Sequence, residues 1–169
     1  IENLTTDNIL EIPLELESEG FASAVLRKLK LEDREADLGK WERAVYAAYK
    51  REKQSKARVA VVGKYVEMHD AYVSLYEALK YAGYDLCVDC ETVGVSSDKI
   101  NDRNVAQKLA GFDGIIIPAG FGERGFAGKI AAARYARTND VPCLMIGLGA
   151  QAGAVEFARD VLGIADADS

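Results

Sequence analysis

Gly114-Ile115-Ile116-Ile117-Pro118-Ala119-Gly120-Phe121-Gly122-Glu123-Arg124-Gly125 is a short apolar run that ends at a proline and passes into a glycine-rich loop. Gly114 to Pro118 is predicted as a strand, and Lys129 to Arg137 beyond the loop as a helix. A strand that is apolar on both faces has no solvent side, so it belongs in a sheet covered twice. The same unit recurs on either side of it. Val59 to Val62 reads as a buried strand ending at Gly63, Leu86 to Val93 as a second strand and Val141 to Ile146 as a fourth. The helix after the first strand is expected to be capped by Asp70, to turn Ala71, Leu75, Ala78, Leu79 and Ala82 inward, and to stop at Gly83. A short helix is expected over Asp102 to Ala110 and a last one over Gln151 to Leu162. Strands separated by helices imply right-handed crossovers and a parallel sheet of about four strands with helices on both faces, an α/β fold of flavodoxin-like type.

Ahead of Arg58 the texture changes. Residues 1–56 are charged and mixed, which places a boundary near Ser55-Lys56-Ala57 and makes the first part a helical leader. Within it Trp41, Ala44, Val45, Ala48 and Tyr49 recur at helical spacing, flanked by Lys40, Glu42, Arg43 and Lys50, as in an amphipathic linker helix. Residues 57–169 form the expected α/β domain.

With 169 residues, 49% hydrophobic and 28% charged, the composition is that of a soluble globular chain with one sizeable core. The apolar runs Gly114 to Ala119 and Val141 to Leu148 fall far short of the roughly 20 residues that cross a bilayer. The amino-terminal Ile1-Glu2-Asn3-Leu4 does not read as a signal or transit peptide, so the cytoplasm is the expected compartment. A net charge of −6, with the basic residues scattered among acids, offers no electrostatic footprint for nucleic acid. Three cysteines, an odd number, argue against a disulfide framework. Cys87 and Cys90 form a C-x-x-C, but Leu86 and Val88 suggest a strand there and no second pair completes a zinc site, so the pair reads as structural.

In parallel α/β sheets ligands gather where the carboxyl ends of strands meet loops. Three such loops are informative. Gly63 to Tyr72 places Lys64, Tyr65, Tyr72 and the single histidine, His69, at one strand end; a solvated connection is its ordinary reading. Gly120 to Gly125 matches the G-x-G-x-x-G spacing of a dinucleotide site. That alternative is weakened because the loop follows the third strand rather than the first, and because Asp140 precedes the next strand instead of ending it. The same glycines can instead turn main-chain N–H groups toward a developing anion. Met145-Ile146-Gly147-Leu148-Gly149-Ala150-Gln151 runs from strand to helix through a tight turn, the layout of a nucleophile elbow, with Gly147 where a Ser or Cys would stand.

Taken together, Val61 to Tyr72, Pro118 to Gly125 and Gly128 to Arg137 resemble consecutive blocks of the amidotransferase domain of the CTP synthase family. Ile9 to Leu14 resembles the end of that family's synthetase domain, the helix around Trp41 its linker, and Ala165 to Ser169 the segment beyond the elbow helix. The resemblance implies a class I glutamine amidotransferase-like fold. It also implies a family reaction in which a Cys-His-Glu triad cuts ammonia from glutamine for a synthetase that turns UTP into CTP. Under it, Gly120 and Leu148 match oxyanion-hole positions, Phe121 and Gln151 glutamine contacts, and Phe121, Gly122, Glu123, Arg124 and Gly125 the lid loop. Lys64 and Tyr65 match a loop facing the synthetase domain, and His69 a non-catalytic position.

Departures from the family pattern shape the expectation. Its P-G-G-F-G reads Pro118-Ala119-Gly120-Phe121-Gly122 here, and its G-I-C-L-G-M-Q reads Met145 to Gln151 with Gly147 in place of the cysteine. The chain stops before the triad's His and Glu, and Cys143 is expected to face a buried strand rather than to replace the nucleophile. The resemblance therefore implies a CTP synthase-like amidotransferase fragment or pseudoenzyme without glutaminase activity. ATP, UTP and magnesium would belong to the absent synthetase part, and this chain would bind no cofactor or metal. Expected partners are a glutamine-like small molecule, a CTP synthase subunit, or a second copy of the chain covering the cut side of the sheet.

Overall fold

The computed structural model describes residues 5–6, 8–49 and 55–169; Ile1-Glu2-Asn3-Leu4 and Lys50 lie outside the described residues. The chain divides into two compact units. The first takes in the residues up to Ser55 together with Tyr81–Asp89, and the second comprises Lys56–Lys80 and Cys90–Ser169.

In the first unit the Asn8 side chain accepts a hydrogen bond from the Leu10 N–H at 3.1 Å and opens a 3-10 turn, Ile9–Glu11. The turn continues into α1 (Ile12–Ser18), with Pro13 in the first turn, where a missing N–H costs nothing. Helix α2 (Phe21–Leu29) is bracketed by Gly20 and Lys30, both left-handed. In α3 (Gly39–Tyr49) the side chains that reach the core are Val45 and Ala47, which join Leu10 and Tyr84. Trp41 and Tyr49, expected on the buried stripe, are exposed instead. Each keeps its polar end bonded: Trp41 Nε1 donates to the Leu10 carbonyl at 2.7 Å and the Tyr49 hydroxyl to Glu11 Oε1 at 2.6 Å. An amphipathic ring with one polar atom is satisfied at a rim more readily than in a core.

One parallel sheet, in the order β2-β1-β3-β4, carries the α/β fold. Its strands are β1 (Ser55–Gly63), β2 (Val88–Ser96), β3 (Gly114–Ile117) and β4 (Cys143–Met145). Val59, Ala60 and Val61 pair with Gly114, Ile115 and Ile116, and Ile115, Ile116 and Ile117 pair with Cys143, Leu144 and Met145. Ala60, Val62, Ile115 and Ile117 are buried against Leu109 of α5 (Val105–Leu109) and Ala131, Ala132, Ala133 and Ala136 of α6 (Phe126–Thr138). Small side chains on α6 allow the helix to lie close to the strands. On its other side Ile130 packs with Ala152 and Val155 of α7 (Leu148–Asp160).

The expected helix after β1 is present but its ends differ. Asp70 is not an N-cap; it sits inside a 3-10 turn, His69–Tyr72, and α4 follows as Val73–Leu86. The cause is Tyr72, a buried side chain whose hydroxyl accepts N–H groups from Lys64 at 3.1 Å and Tyr65 at 3.4 Å. These bonds fold the turn back onto the strand end before a helix can start. Gly83 does not stop α4, because burial of the adjacent Tyr84 outweighs the roughly 1 kcal/mol that glycine costs within a helix. Of the expected inward face only Leu75 and Leu79 are partly buried, whereas Ala71, Ala78 and Ala82 are exposed. Leu86 still belongs to α4, and Cys87 makes the left-handed turn (φ 54°) into β2. Both thiols of the C-x-x-C and that of Cys143 are free. Among the described residues no helix is long and apolar enough to cross a membrane.

Candidate functional site

Strands β1 and β3 are neighbours, and the chain leaves β1 toward β2 on the opposite side, so the sheet switches direction between them. The carboxyl ends of β1, β3 and β4 converge there, the place where open α/β sheets hold ligands. Each strand delivers a loop to it: Gly63-Lys64-Tyr65, Pro118-Ala119-Gly120-Phe121 and Ile146-Gly147-Leu148.

The last of these is a sharp turn. The Ile146 N–H still reaches the Ile117 carbonyl at 2.9 Å, and the Gly147 carbonyl already accepts the N–H groups of Ala150 at 2.9 Å and Gln151 at 3.2 Å. A single residue therefore carries the chain from sheet to helix. Gly147 does so at φ 55°, ψ −118°, a conformation that side-chain-bearing residues hold only under strain. Gly149 lets the first turn of α7 press on the end of β3, since a Cβ there would lie 1.9 Å from the Ile117 carbonyl oxygen. Leu148 begins the helix, so its N–H precedes the intrahelical ladder and faces outward from the helix start.

Gly120 lies next to that helix start. A Cβ at Gly120 would stand 3.6 Å from the Leu148 side chain and 3.2 Å from Lys129 Nζ. The two residues matched to oxyanion-hole positions are thus neighbours. Phe121 beside them is 84% exposed, with its ring open to a ligand. Phe121 and Gln151, the positions matched to glutamine contacts, line different clefts. One, of about 330 Å³, is lined by Tyr65, Tyr72, Ala119, Gly120, Phe121 and Ile146; the other, of about 540 Å³, by Gly122, Glu123, Phe126, Leu148 and Gln151. The Gly120-Phe121-Gly122 segment is the wall between them.

Lys64 and Tyr65 contact the Phe121-Gly122-Glu123-Arg124-Gly125 loop directly. Lys64 Nζ donates to the Phe121 carbonyl at 2.6 Å, and the Tyr65 ring lies under the Arg124 guanidinium at 5.8 Å. Arg124 also pairs with Asp98. Phe121 and Arg124 are thereby tethered at both ends of the loop. His69 stacks on Tyr76 with ring centroids 5.0 Å apart. Cys143 is half-buried, and burial pushes its thiol up to about 11, so it stays protonated at neutral pH. Among the described residues no cluster of His, Cys, Asp and Glu has the makings of a metal site.

Two features escaped the sequence reading. Lys129, buried inside α6 with 1% of its surface exposed, donates from Nζ to the Pro118 carbonyl at 2.6 Å and approaches that of Ala119 at 3.5 Å. Burial first, and the Lys64 ammonium second, lower its pKa to about 8. The available signal was a lysine set among Ile130, Ala131, Ala132 and Ala133 in a helix otherwise apolar on that side. The other feature is the contact made by Ala119, a residue visible in the sequence only as a departure from the family pattern, whose methyl group faces Gly147.

A family model described as glutamine amidotransferase class-I matches residues 67–168. Curated relatives include the CTP synthase of Latilactobacillus sakei, 45% identical over 167 residues that cover 99% of this chain and 31% of the relative. Another is the CTP synthase of Streptococcus pneumoniae, 45% identical over 169 residues, covering 100% of this chain and 31% of the relative. The chain spans about a third of the length of these relatives. Among solved structures, a Trypanosoma brucei CTPS glutaminase domain with bound acivicin superposes with a TM-score of 0.62 at 37% identity, covering 67% of this chain and 44% of that one.

Proposed function

The chain belongs to the class-I glutamine amidotransferase family, and from that premise we propose that it is an amidotransferase module of the CTP synthase kind whose glutamine site keeps its frame but has no nucleophile. The observation that carries this reading is Gly147: the elbow is built, with its sharp turn and helix start, around a residue that has no side chain. In acyl transfer of this class a thiolate attacks the carboxamide carbon, and main-chain N–H groups stabilise the resulting oxyanion. The neighbouring positions Gly120 and Leu148 support the second function, whereas nothing at Gly147 can perform the first. Phe121 and Gln151 would contact a glutamine-like ligand, and Gly122, Glu123, Arg124 and Gly125 would cover it. The ATP-, UTP- and magnesium-dependent steps of the relatives' reaction would lie outside this chain.

The same reading includes attachment to a CTP synthase subunit or to a second copy of the chain. It is supported by β4, the outer strand in the sheet order, where Leu144 and the following Ile146 are exposed. Light scattering across a dilution series is expected to show mass rising with concentration; a constant mass near 18.3 kDa would count against self-association. The catalytic half of the reading is tested by ammonia release from glutamine, which is expected not to exceed that of buffer.

A further inference from the structure

We infer that Ala119 and Gly147 form a compensated pair, in which the methyl group of Ala119 occupies the room that any side chain at the elbow would need. Admission of a nucleophile to this site would then be decided at position 119 as well as at position 147. The inference rests on reading Gly147 as the elbow residue.

A Cβ built on Gly147 would lie 3.1 Å from the Ala119 Cβ and 3.6 Å from the Ala119 Cα. Carbon atoms attract one another best at about 3.5–4.0 Å, so the first distance is repulsive and the second is ordinary contact. The whole conflict therefore comes from one methyl group. Ala119 has no rotamer with which to move it. Its surface is open toward the smaller cleft, so surrounding side chains do not hold it in place; its backbone does. Just before it, the Pro118 carbonyl is bound by the buried Lys129 ammonium at 2.6 Å, and the Ile117 carbonyl by the Ile146 N–H at 2.9 Å. Opposite, the Gly147 carbonyl is held by two N–H groups of α7, and Gly149 leaves the helix start no space to retreat from β3.

A side chain at 147 thus meets two separable costs. The backbone conformation, φ 55°, penalises every non-glycine residue whatever stands at 119. The clash with the Ala119 methyl disappears when position 119 is glycine. A double-mutant cycle distinguishes them, because the backbone cost cancels and only the contact remains.

The experiment compares the full chain with Ala119→Gly, Gly147→Ala and the double variant by urea unfolding. Gly163→Ala serves as a control in both backgrounds, since Gly163 has φ +73° and nothing within 4 Å of its would-be Cβ. The double variant is expected to retain a folded-to-unfolded ratio roughly threefold or more above the product of the single-variant effects, as contacting residues do. Gly163→Ala is expected to cost the same in either background. Folding of the double variant where Gly147→Ala alone does not fold would give the same answer. Additive effects at 119 and 147, or failure of both Gly147→Ala forms to fold, would overturn the inference. A second readout follows the thiol introduced by Gly147→Cys, using iodoacetamide and peptide mapping; its alkylation is expected to be faster when Ala119→Gly is present, and an unchanged rate would also overturn the inference. Neither readout depends on glutamine chemistry, so the pair can fail while the proposed function stands, and the reverse.

Discussion

Lys129 is the residue at which burial and charge conflict most directly. Its ammonium is held within the protein by one strong bond to the Pro118 carbonyl, with no carboxylate partner among the described residues, and its pKa falls to about 8 from an ordinary 10.5. Below about 8 both the folded and the unfolded chain carry the proton, and the folded state bears the full desolvation cost. Between about 8 and 10.5 the unfolded chain binds more protons than the folded one, so this lysine's contribution to stability rises with pH. The expected result is that parent and Lys129→Met unfolding free energies change relative to each other in the parent's favour from pH 8 to pH 10, with a limiting slope of about 1.4 kcal/mol per pH unit. Parallel curves would show that the lysine is solvated. The sequence offered only the apolar neighbours Ile130, Ala131, Ala132 and Ala133 as a sign of burial; the Pro118 carbonyl that receives the ammonium is a tertiary partner. Gly147, by contrast, was legible, because a strand followed at once by a helix leaves only one residue to make the turn. Its partner Ala119 was legible only as a departure from a pattern; the 3.1 Å contact that gives the departure meaning is tertiary.

At the scale of elements, α6 and α7 are joined by ions as well as by Ile130, Ala152 and Val155. Glu156 on α7 is 2% exposed and accepts Arg137 Nε at 3.0 and 3.1 Å and Nη2 at 2.6 Å. Arg134, a turn earlier on α6, pairs with Asp160 and Asp102, and its bond holds the Asp160 carboxyl below the ordinary range. Removing Arg137 leaves a buried carboxylate without its main counter-ion. Arg137→Met is expected to lower the urea midpoint, with a loss of about tenfold or more in the folded-to-unfolded ratio, as when a buried charged acceptor loses its donor. Adding Glu156→Leu should recover part of that loss. A midpoint unchanged by Arg137→Met would mean that water replaces the guanidinium. Strands β1, β3 and β4 were readable from apolar runs, as expected of a covered sheet, whereas β2, with Asp89 and Glu91, carries no such run and begins at Val88 rather than at Leu86, which α4 keeps. The ends of α4 were not readable, because packing of Tyr72 and Tyr84 set them against the local signals of Asp70 and Gly83.

For the molecule as a whole, sheet order and connectivity place three loops at one strand-end cluster, and it is there that the proposal of an amidotransferase frame without a nucleophile stands or falls. The cluster has a helix start at Leu148, a glycine at 120, an exposed aromatic at 121 and a loop tethered through the Phe121 carbonyl. It lacks a side chain at Gly147, and the one thiol close by in sequence, Cys143, is held protonated by burial. The most direct measurement is ammonia release from saturating glutamine, run beside a full-length CTP synthase. It is paired with site-resolved mass spectrometry after treatment with an electrophilic glutamine analogue. The expected result is ammonia at the buffer level and no adduct anywhere in residues 114–160. Ammonia above buffer that scales with the chain's concentration, or an adduct on Cys143, would contradict the reading of Gly147 as a site without a nucleophile.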